Sequence, residues 1–273
     1  MNFDELPLGK NTDYPTSFSR DILSRIPRSD SRQKLPESES SQAFNGYDLW
    51  TLYELNWVST SGVPQALIGE IRVPANSEFI VESKSLKLYI NSLYYRRFDS
   101  APQVSDEISL SLTELLGAQV RVHLWPLADF GTQPENRNAF INLDQCGAEV
   151  SNTAGLQSLH AVEIQDYFKC YKTDCFRSLC PVTGQPDWAT IYIGLEGVKL
   201  DEEALASYLL GFSEHQGFHE SCVEQIYVDL KNILSPQELT VAARFTRRGG
   251  IDINPYRFGK RALFDMPARG VRQ

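Results

Sequence analysis

Cys180 and Asp187 lie near the two ends of one short segment, Phe176–Trp188, FRSLCPVTGQPDW. Together they supply what a covalent addition needs: a sulfur nucleophile and a carboxyl group that can deliver a proton. Between them stand Pro181, Thr183, Gly184 and Pro186, residues that build a tight turn. A thiol and a carboxyl held at the two ends of one turn could act on the same atom. No other part of the sequence offers a nucleophile with so plain a partner. A lone cysteine is also an ordinary small buried apolar residue, and residue type alone leaves both readings open. A zinc reading draws on Cys170, Cys175 and Cys180, five apart, with His160 upstream. Structural zinc sites take their ligands as close pairs two to four residues apart, so this spacing supports zinc poorly.

Two Glu-Ser pairs form the next constellation. Residues 82–91 are ESKSLKLYIN and residues 220–229 are ESCVEQIYVD. Both read Glu-Ser, five residues, Tyr, a β-branched residue, then Asn or Asp, at an offset of 220 − 82 = 138. Each is followed by a polar loop and then a stretch with Glu-Leu and a strand (LTELLGAQVRVHL against SPQELTVAARFTR). This is the signature of a duplication, with a period too long for a solenoid. Glu82 and Glu220 have two readings. A glutamate at a helix start complements the helix dipole or caps it. A carboxylate also accepts hydrogen bonds from the N–H edge of a planar heterocycle, and Phe218 and His219 beside Glu220 add an aromatic face and a titratable ring.

Lys84 and Lys87 lie three apart on one expected helix face, and Arg247 and Arg248 precede Gly249 and Gly250. Basic groups beside a Gly-rich turn can hold phosphates; the other reading is a solvated charged face. No G-x-G-x-x-G follows a strand and no P-loop is present, so any nucleotide is bound outside a Rossmann domain.

The elements that must position these residues follow from periodicity and turn chemistry. Tyr47–Val58 and Gln65–Val73 are rich in β-branched and aromatic residues and are joined by STSGVP, which predicts a hairpin. Ser83–Tyr95 and Val104–Leu116 have helical spacing, the second with Ser105 as its expected N-cap. Ala118–Leu127 and Trp188–Leu195 read as strands, and Asp201–Ser213 and Glu220–Leu234 as helices. Glu238–Arg247 and Ile251–Arg257 read as strands joined by the Gly-Gly turn. Residues 27–42, PRSDSRQKLPESESSQ, read as a loop or arm. The expected class is α+β, two related modules each with an antiparallel sheet.

Bulk properties narrow the partners. The net charge is −9 over 273 residues with a pI near 5.0, against a broad nucleic-acid-binding surface. No apolar run approaches the roughly 18 residues of a membrane span. The acidic, polar start MNFDELPLGK shows no signal peptide, and five cysteines in the second half suit a reducing cytoplasm rather than a disulfide framework.

VESKSLKLY at 81–89, SLCPVTGQPDWATIYI at 178–193, FHESCVEQIYVDL at 218–230, RRGGIDINPYR at 247–257 and the opening LGKNTDYP together resemble the NADPH-dependent 7-cyano-7-deazaguanine reductases (QueF), the nitrile reductases of queuosine biosynthesis, in their longer two-module branch. The resemblance implies a tunnelling fold (T-fold): tandem modules with antiparallel sheets and helices packed on one side. An N-terminal module, 1–145, would carry the ESK motif, and a C-terminal module, 146–273, the catalytic Cys and Asp. It implies Cys180 as the nucleophile that forms a thioimide and Asp187 as the proton donor. Val81, Glu82, Ser83, His219 and Glu220 would bind substrate. Ser83, Lys84, Arg248 and Gly249 would contact NADPH, with Lys87 a further phosphate candidate. It also implies 7-cyano-7-deazaguanine as substrate, NADPH as co-substrate, no metal, no direct nucleic-acid or membrane partner, a homodimer and a cytoplasmic location. Two other readings stay in play: a zinc-dependent hydrolase resembling GTP cyclohydrolase, and a non-catalytic purine- or pterin-binding protein.

Overall fold

The computed structural model describes residues 13–36, 44–131, 140–149 and 159–273, with Gly9 and Leu156. In chain order the elements are β1 (Arg25–Pro27), α1 (Ser29–Arg32), β2 (Asn45–Ser59), β3 (Pro64–Pro74), β4 (Phe79–Val81), α2 (Ser83–Ser92), β5 (Arg97–Phe98), α3 (Ala101–Leu116), β6 (Arg121–Pro126), β7 (Ile141–Asn142), β8 (Ala161–Leu179), β9 (Pro186–Leu200), α4 (Glu202–Leu210), α5 (His219–Leu234), β10 (Glu238–Phe245) and β11 (Ile251–Phe258). They form a mixed α+β structure with largely antiparallel sheets and helices packed on one side. Two compact units divide it, neither a single stretch of chain: Met1–Lys34, Tyr47–Gln133 and Arg247–Ile253 in the first, Leu35–Gly46, Pro134–Thr246 and Asn254–Gln273 in the second.

In the first unit β6, β3 and β2 lie side by side and antiparallel. Alternation along β2 and β3 sends Trp50, Leu52, Leu55, Trp57, Ile71 and Val73 to one face, where α2 and α3 cover them with Leu86, Tyr89, Ile90, Val104, Ile108 and Leu112. Burying each such side chain contributes roughly 1.5–3 kcal/mol. The register of β2 against β3 shifts between Leu52 and Leu55, a bulge that takes Tyr53 and Glu54 out of the alternation. The Tyr53 amide then donates to the Gly250 carbonyl (2.9 Å), and its hydroxyl donates to Asp252 (2.5 Å). In this way a segment from late in the chain is fixed beside α2.

In the second unit β8 and β9 form a long hairpin, followed by β10 and β11, all antiparallel, with short β7 parallel to β8. Ala189, Ile191, Ile193 and Leu195 of β9 and Val241, Ala243 and Phe245 of β10 meet Cys222, Val223, Ile226 and Leu230 of α5 in one buried cluster.

Three expectations need correction. Ser105 is not the N-cap of α3: the helix starts at Ala101 behind Ser100, with Pro102 in its first turn, and the Ser105 hydroxyl donates to the Val122 carbonyl (3.1 Å). Proline inside the first turn has no amide to lose there, so the helix extends upstream of its apolar run. Part of the expected loop at 27–42 is ordered: Pro27 ends β1, Ser29–Arg32 is a short helix, and Arg28 is buried on Asp48 (2.5 Å). Residues 37–42, and residues 8 and 10–12 of LGKNTDYP, lie outside the described residues. The 19-residue strand β8 has no counterpart among the predicted elements. No helix among the described residues is long and apolar enough to cross a membrane.

Candidate functional site

The β8–β9 hairpin positions the thiol and the carboxyl. Ser178 pairs with Asp187 and Leu179 with Pro186, which leaves Cys180 as the first residue of the turn. The turn closes through the Cys180 amide to the Gln185 carbonyl and the Gly184 amide to the Cys180 carbonyl, both 2.9 Å. Gly184 takes φ +67, which a side chain would resist. Asp187 is buried.

A second segment is tied to the same place. The Leu179 amide donates to the His215 carbonyl (2.8 Å), and the Gly217 amide donates to the Leu179 carbonyl (3.1 Å). This ladder brings the start of α5 to the end of β8. His219, its first residue, then places Nε2 3.4 Å from Asp187 Oδ1 and stacks its ring on Phe245, centroids 3.7 Å apart and planes 3° from parallel. Glu220 follows in the first turn of α5, buried. The structure thus brings Asp187 and His219 into contact and ties the Cys180 turn and Glu220 to the same framework.

Cys222 also belongs to this neighbourhood. Burial pushes its thiol up to about 12, opposed by the nearby Ser178 hydroxyl and reinforced by the charges of Asp187 and Glu220. Burial likewise pushes Cys170 up to about 11, and raises Cys146 and Cys175 with help from nearby carboxylates. These four thiols are poor nucleophiles near neutral pH. Among the described residues no group of three or more His, Cys, Asp or Glu could hold a metal ion.

The first unit holds the other constellation. Val81 ends β4 and Glu82 is the N-cap of α2, its carboxylate accepting from the amides of Lys84 and Ser85, both 2.7 Å. Burial raises its pKa, against the pull of those two amides. Ser83 and Lys84 follow in the first turn, half-buried. Arg248 and Ile251 exchange backbone hydrogen bonds (2.8 and 3.1 Å) around Gly249 and Gly250, whose φ values are +56 and +78. Positive φ at both central residues is what a two-residue type I′ turn needs. The turn packs so closely that a Cβ on Gly249 would lie 2.8 Å from Lys87 Nζ, and one on Gly250 would lie 2.7 Å from Glu54 Oε2. Lys87 and Glu54 are themselves 3.9 Å apart. Lys87 is therefore at the turn, while Glu54 reaches it only through the β2 bulge, which the pattern of the sequence does not announce. The other residue that sequence reasoning missed is Phe245, whose partner His219 is remote along the chain.

Comparison with known proteins bears on both constellations. Residues 14–124 match the family described as nitrile reductase, 7-cyano-7-deazaguanine-reductase N-terminal, and residues 186–262 match the family described as QueF-like protein. The NADPH-dependent 7-cyano-7-deazaguanine reductase of Acinetobacter baumannii is 38% identical over 273 residues, covering 100% of both chains. Those of Acinetobacter baylyi and Saccharophagus degradans are 37% identical over 100% of both chains and 41% identical over 92% of this chain and 93% of that one. Among solved structures, the archaeosine synthase QueF-Like in its apo form covers 38% of this chain at 14% identity with a TM-score of 0.30, too low a likeness to carry a fold assignment. On the two family matches and the full-length relatives, the chain belongs to the NADPH-dependent 7-cyano-7-deazaguanine reductase family.

Proposed function

We propose that this chain reduces the nitrile of 7-cyano-7-deazaguanine to the primary amine of 7-aminomethyl-7-deazaguanine with two NADPH, a step of queuosine biosynthesis for tRNA modification. The observation that carries the reading is the hairpin end that bears Cys180 and sets Asp187 against His219, in a chain 38% identical over its whole length to a reductase of that name.

A nitrile carbon accepts hydride poorly. The Cys180 thiolate adds to it, a C–S bond forms, and Asp187 delivers a proton to the nitrile nitrogen. The product is a thioimide on Cys180, a far better acceptor. Bound NADPH supplies a hydride to that carbon, and, once the C–S bond has broken and Cys180 has left with the electron pair, a second NADPH supplies another to the imine. Each reduction takes up one proton, so the nitrile gains four hydrogens in all. Asp187 also serves as the base that first takes the thiol proton. The substrate-binding residues are Glu220 and His219 of the second unit and Val81, Glu82 and Ser83 of the first, and each carboxylate can accept from an N–H group of the deazaguanine. Water must stay out, because both the thioimide and the imine hydrolyse.

The residues of the first unit suit a dinucleotide phosphate. Gly249 leaves Lys87 Nζ open at the place a Cβ would fill, and Lys84 stands one turn away on α2. Ser83, Lys84, Arg248 and Gly249 would hold NADPH there, with Lys87 against a phosphate. The proposed architecture is the T-fold, with an N-terminal module over 1–145 and a C-terminal module over 146–273. Arg248 and Gly249 join the first unit from the far half of the chain. The working form is a cytoplasmic homodimer without a metal or a direct nucleic-acid partner.

Intact mass spectrometry tests the reading. Mixed with 7-cyano-7-deazaguanine in the absence of NADPH, the protein gains the mass of the nitrile, and Cys180→Ala does not. Turnover in that variant falls on the order of 10⁴-fold or more. A wild-type protein that binds the nitrile without the mass gain overturns the covalent route.

A further inference from the structure

We infer that Phe245 is a positioning residue for the reaction: its ring sets the plane of the His219 imidazole so that Nε2 faces Asp187. The inference rests on the function proposed above for Asp187.

The torsion about Cβ–Cγ of a histidine is broad, so the side chain's own preferences do not fix the ring plane; a neighbour must. Phe245 is that neighbour, with its ring 3.7 Å from the imidazole and nearly parallel to it. Aromatic pairs left to their own preferences sit offset or edge-on with centroids about 4.5–7 Å apart. A closer parallel stack marks a pair held by its surroundings, and the surroundings of Phe245 are rigid. It has no exposed surface and closes β10 opposite Ala189. Its amide donates to Asn254 Oδ1 (3.1 Å), and Gln273 Nε2 donates to its carbonyl (3.4 Å). Phe176 meets its ring edge-on at 6.2 Å. Backbone and ring are fixed from several sides, and the imidazole takes its orientation from them. The positioned contact is the 3.4 Å approach of Nε2 to Asp187 Oδ1.

A double-mutant cycle separates this role from simple core packing. In Phe245→Leu, kcat for nitrile reduction falls about ten- to a hundredfold, the scale of misplacing a catalytic group by an ångström, and the NADPH KM does not move. In a His219→Ala background the same substitution changes kcat no further. An equal loss of kcat in both backgrounds, or none in either, overturns the inference. A measurement on the unmodified protein backs this should Phe245→Leu fold poorly. Stacking on a phenyl face moves the His219 Hε1 resonance upfield of a free histidine, and Phe245→Met returns it. An unshifted His219 resonance in the wild type means that there is no stack and ends the proposal. The resonance needs no turnover, so it stays readable even if the mass experiment fails and the proposed reaction falls.

Discussion

The helices α2 and α5 begin with the same Glu-Ser pair and put it to different use. Glu82 is the N-cap of α2, in extended backbone (φ −74, ψ 127), and both of its oxygens bind amides of its own helix. Phe218 holds the equivalent place before α5, with no side-chain cap, and Glu220 stands inside the first turn next to His219, which meets Asp187. One turn on, α2 carries the buried Leu86 where α5 carries Glu224, whose carboxylate binds Arg257 at 2.9 Å with 2% and 0% of the two side chains exposed. Two turn positions change as well: Lys84 and Lys87 on α2 stand where α5 has Cys222 and Gln225. One Glu-Ser segment starts a capped, basic helix. The other became a helix start built against a thiol and an acid. The two matching segments share a helical fold while their charged residues make different contacts.

The largest effect expected from breaking this comparison comes from the acid. Asp187→Asn keeps the shape of the side chain and removes the transferable proton, so kcat falls by about 10²–10⁴ while nitrile binding holds. Steady-state kinetics beside a nitrile-binding titration reads both, and a kcat within a fewfold of the wild type would move the proton donor elsewhere. Next in size is Glu224→Gln, which takes a buried carboxylate away from the Arg257 guanidinium. The loss is about 3–5 kcal/mol in chemical denaturation. Replacing both partners with apolar residues restores most of it. If the single variant loses under about 1 kcal/mol, water reaches the pair and the contrast with α2 is one of composition only.

The strand pattern of 47–73, the helix at 83–95 and the Gly-Gly turn were legible because each lies in one period or one turn signal. β8 was not. Its register against β9 shifts twice, between Glu163 and Phe168 and between Thr173 and Phe176, and each shift breaks the period of two on which a strand reading depends. Lys169, Lys172, Asp174 and Arg177 interrupt its apolar pattern as well. For the site, Cys180 and Asp187 were legible because one hairpin holds both. The stack of His219 on Phe245 and the approach of Glu54 to the Gly-Gly turn depend on strand neighbours far apart in sequence, which local patterns do not encode.

The paired glutamates give the third test. Glu220→Gln turns an acceptor-only group into an amide that presents a donor to the same N–H edge, and nitrile affinity falls about ten- to a hundredfold, the worth of a hydrogen bond to a charged group. Its melting temperature changes little. Glu82→Gln weakens the cap of α2 by about 1 kcal/mol and lowers the melting temperature, with a smaller change in affinity because both of its oxygens already serve the helix. Isothermal titration and thermal melts on the two variants decide it. Equal losses of affinity would mean that the capping carboxylate grips substrate as firmly as Glu220 does, and the division between the helices would narrow.

The smallest effect is electrostatic and lies within the first unit, where Glu82 and Glu107 answer acid in opposite directions. Burial pushes Glu107 up, but the hydrogen bond from Arg20 (2.6 Å) and the charge of Arg96 (2.8 Å) outweigh it, and its pKa is lowered. A carboxyl depressed in the folded state stabilises the protein above its unfolded pKa, about 4.3, and that stability drains away as the pH falls through the folded value. Glu82 is raised, burial prevailing over its amides, so its contribution worsens as the pH climbs from the unfolded value through the folded one and recovers in acid. Melting temperatures of the wild type, Glu107→Gln and Glu82→Gln between pH 3 and 7 read both signs. The advantage of the wild type over Glu107→Gln shrinks toward pH 3, whereas over the same range the wild type gains on Glu82→Gln. Parallel curves for Glu82→Gln would mean that its carboxylate is as well solvated as an exposed one, and the buried cap of α2 would lose its distinction from the first turn of α5.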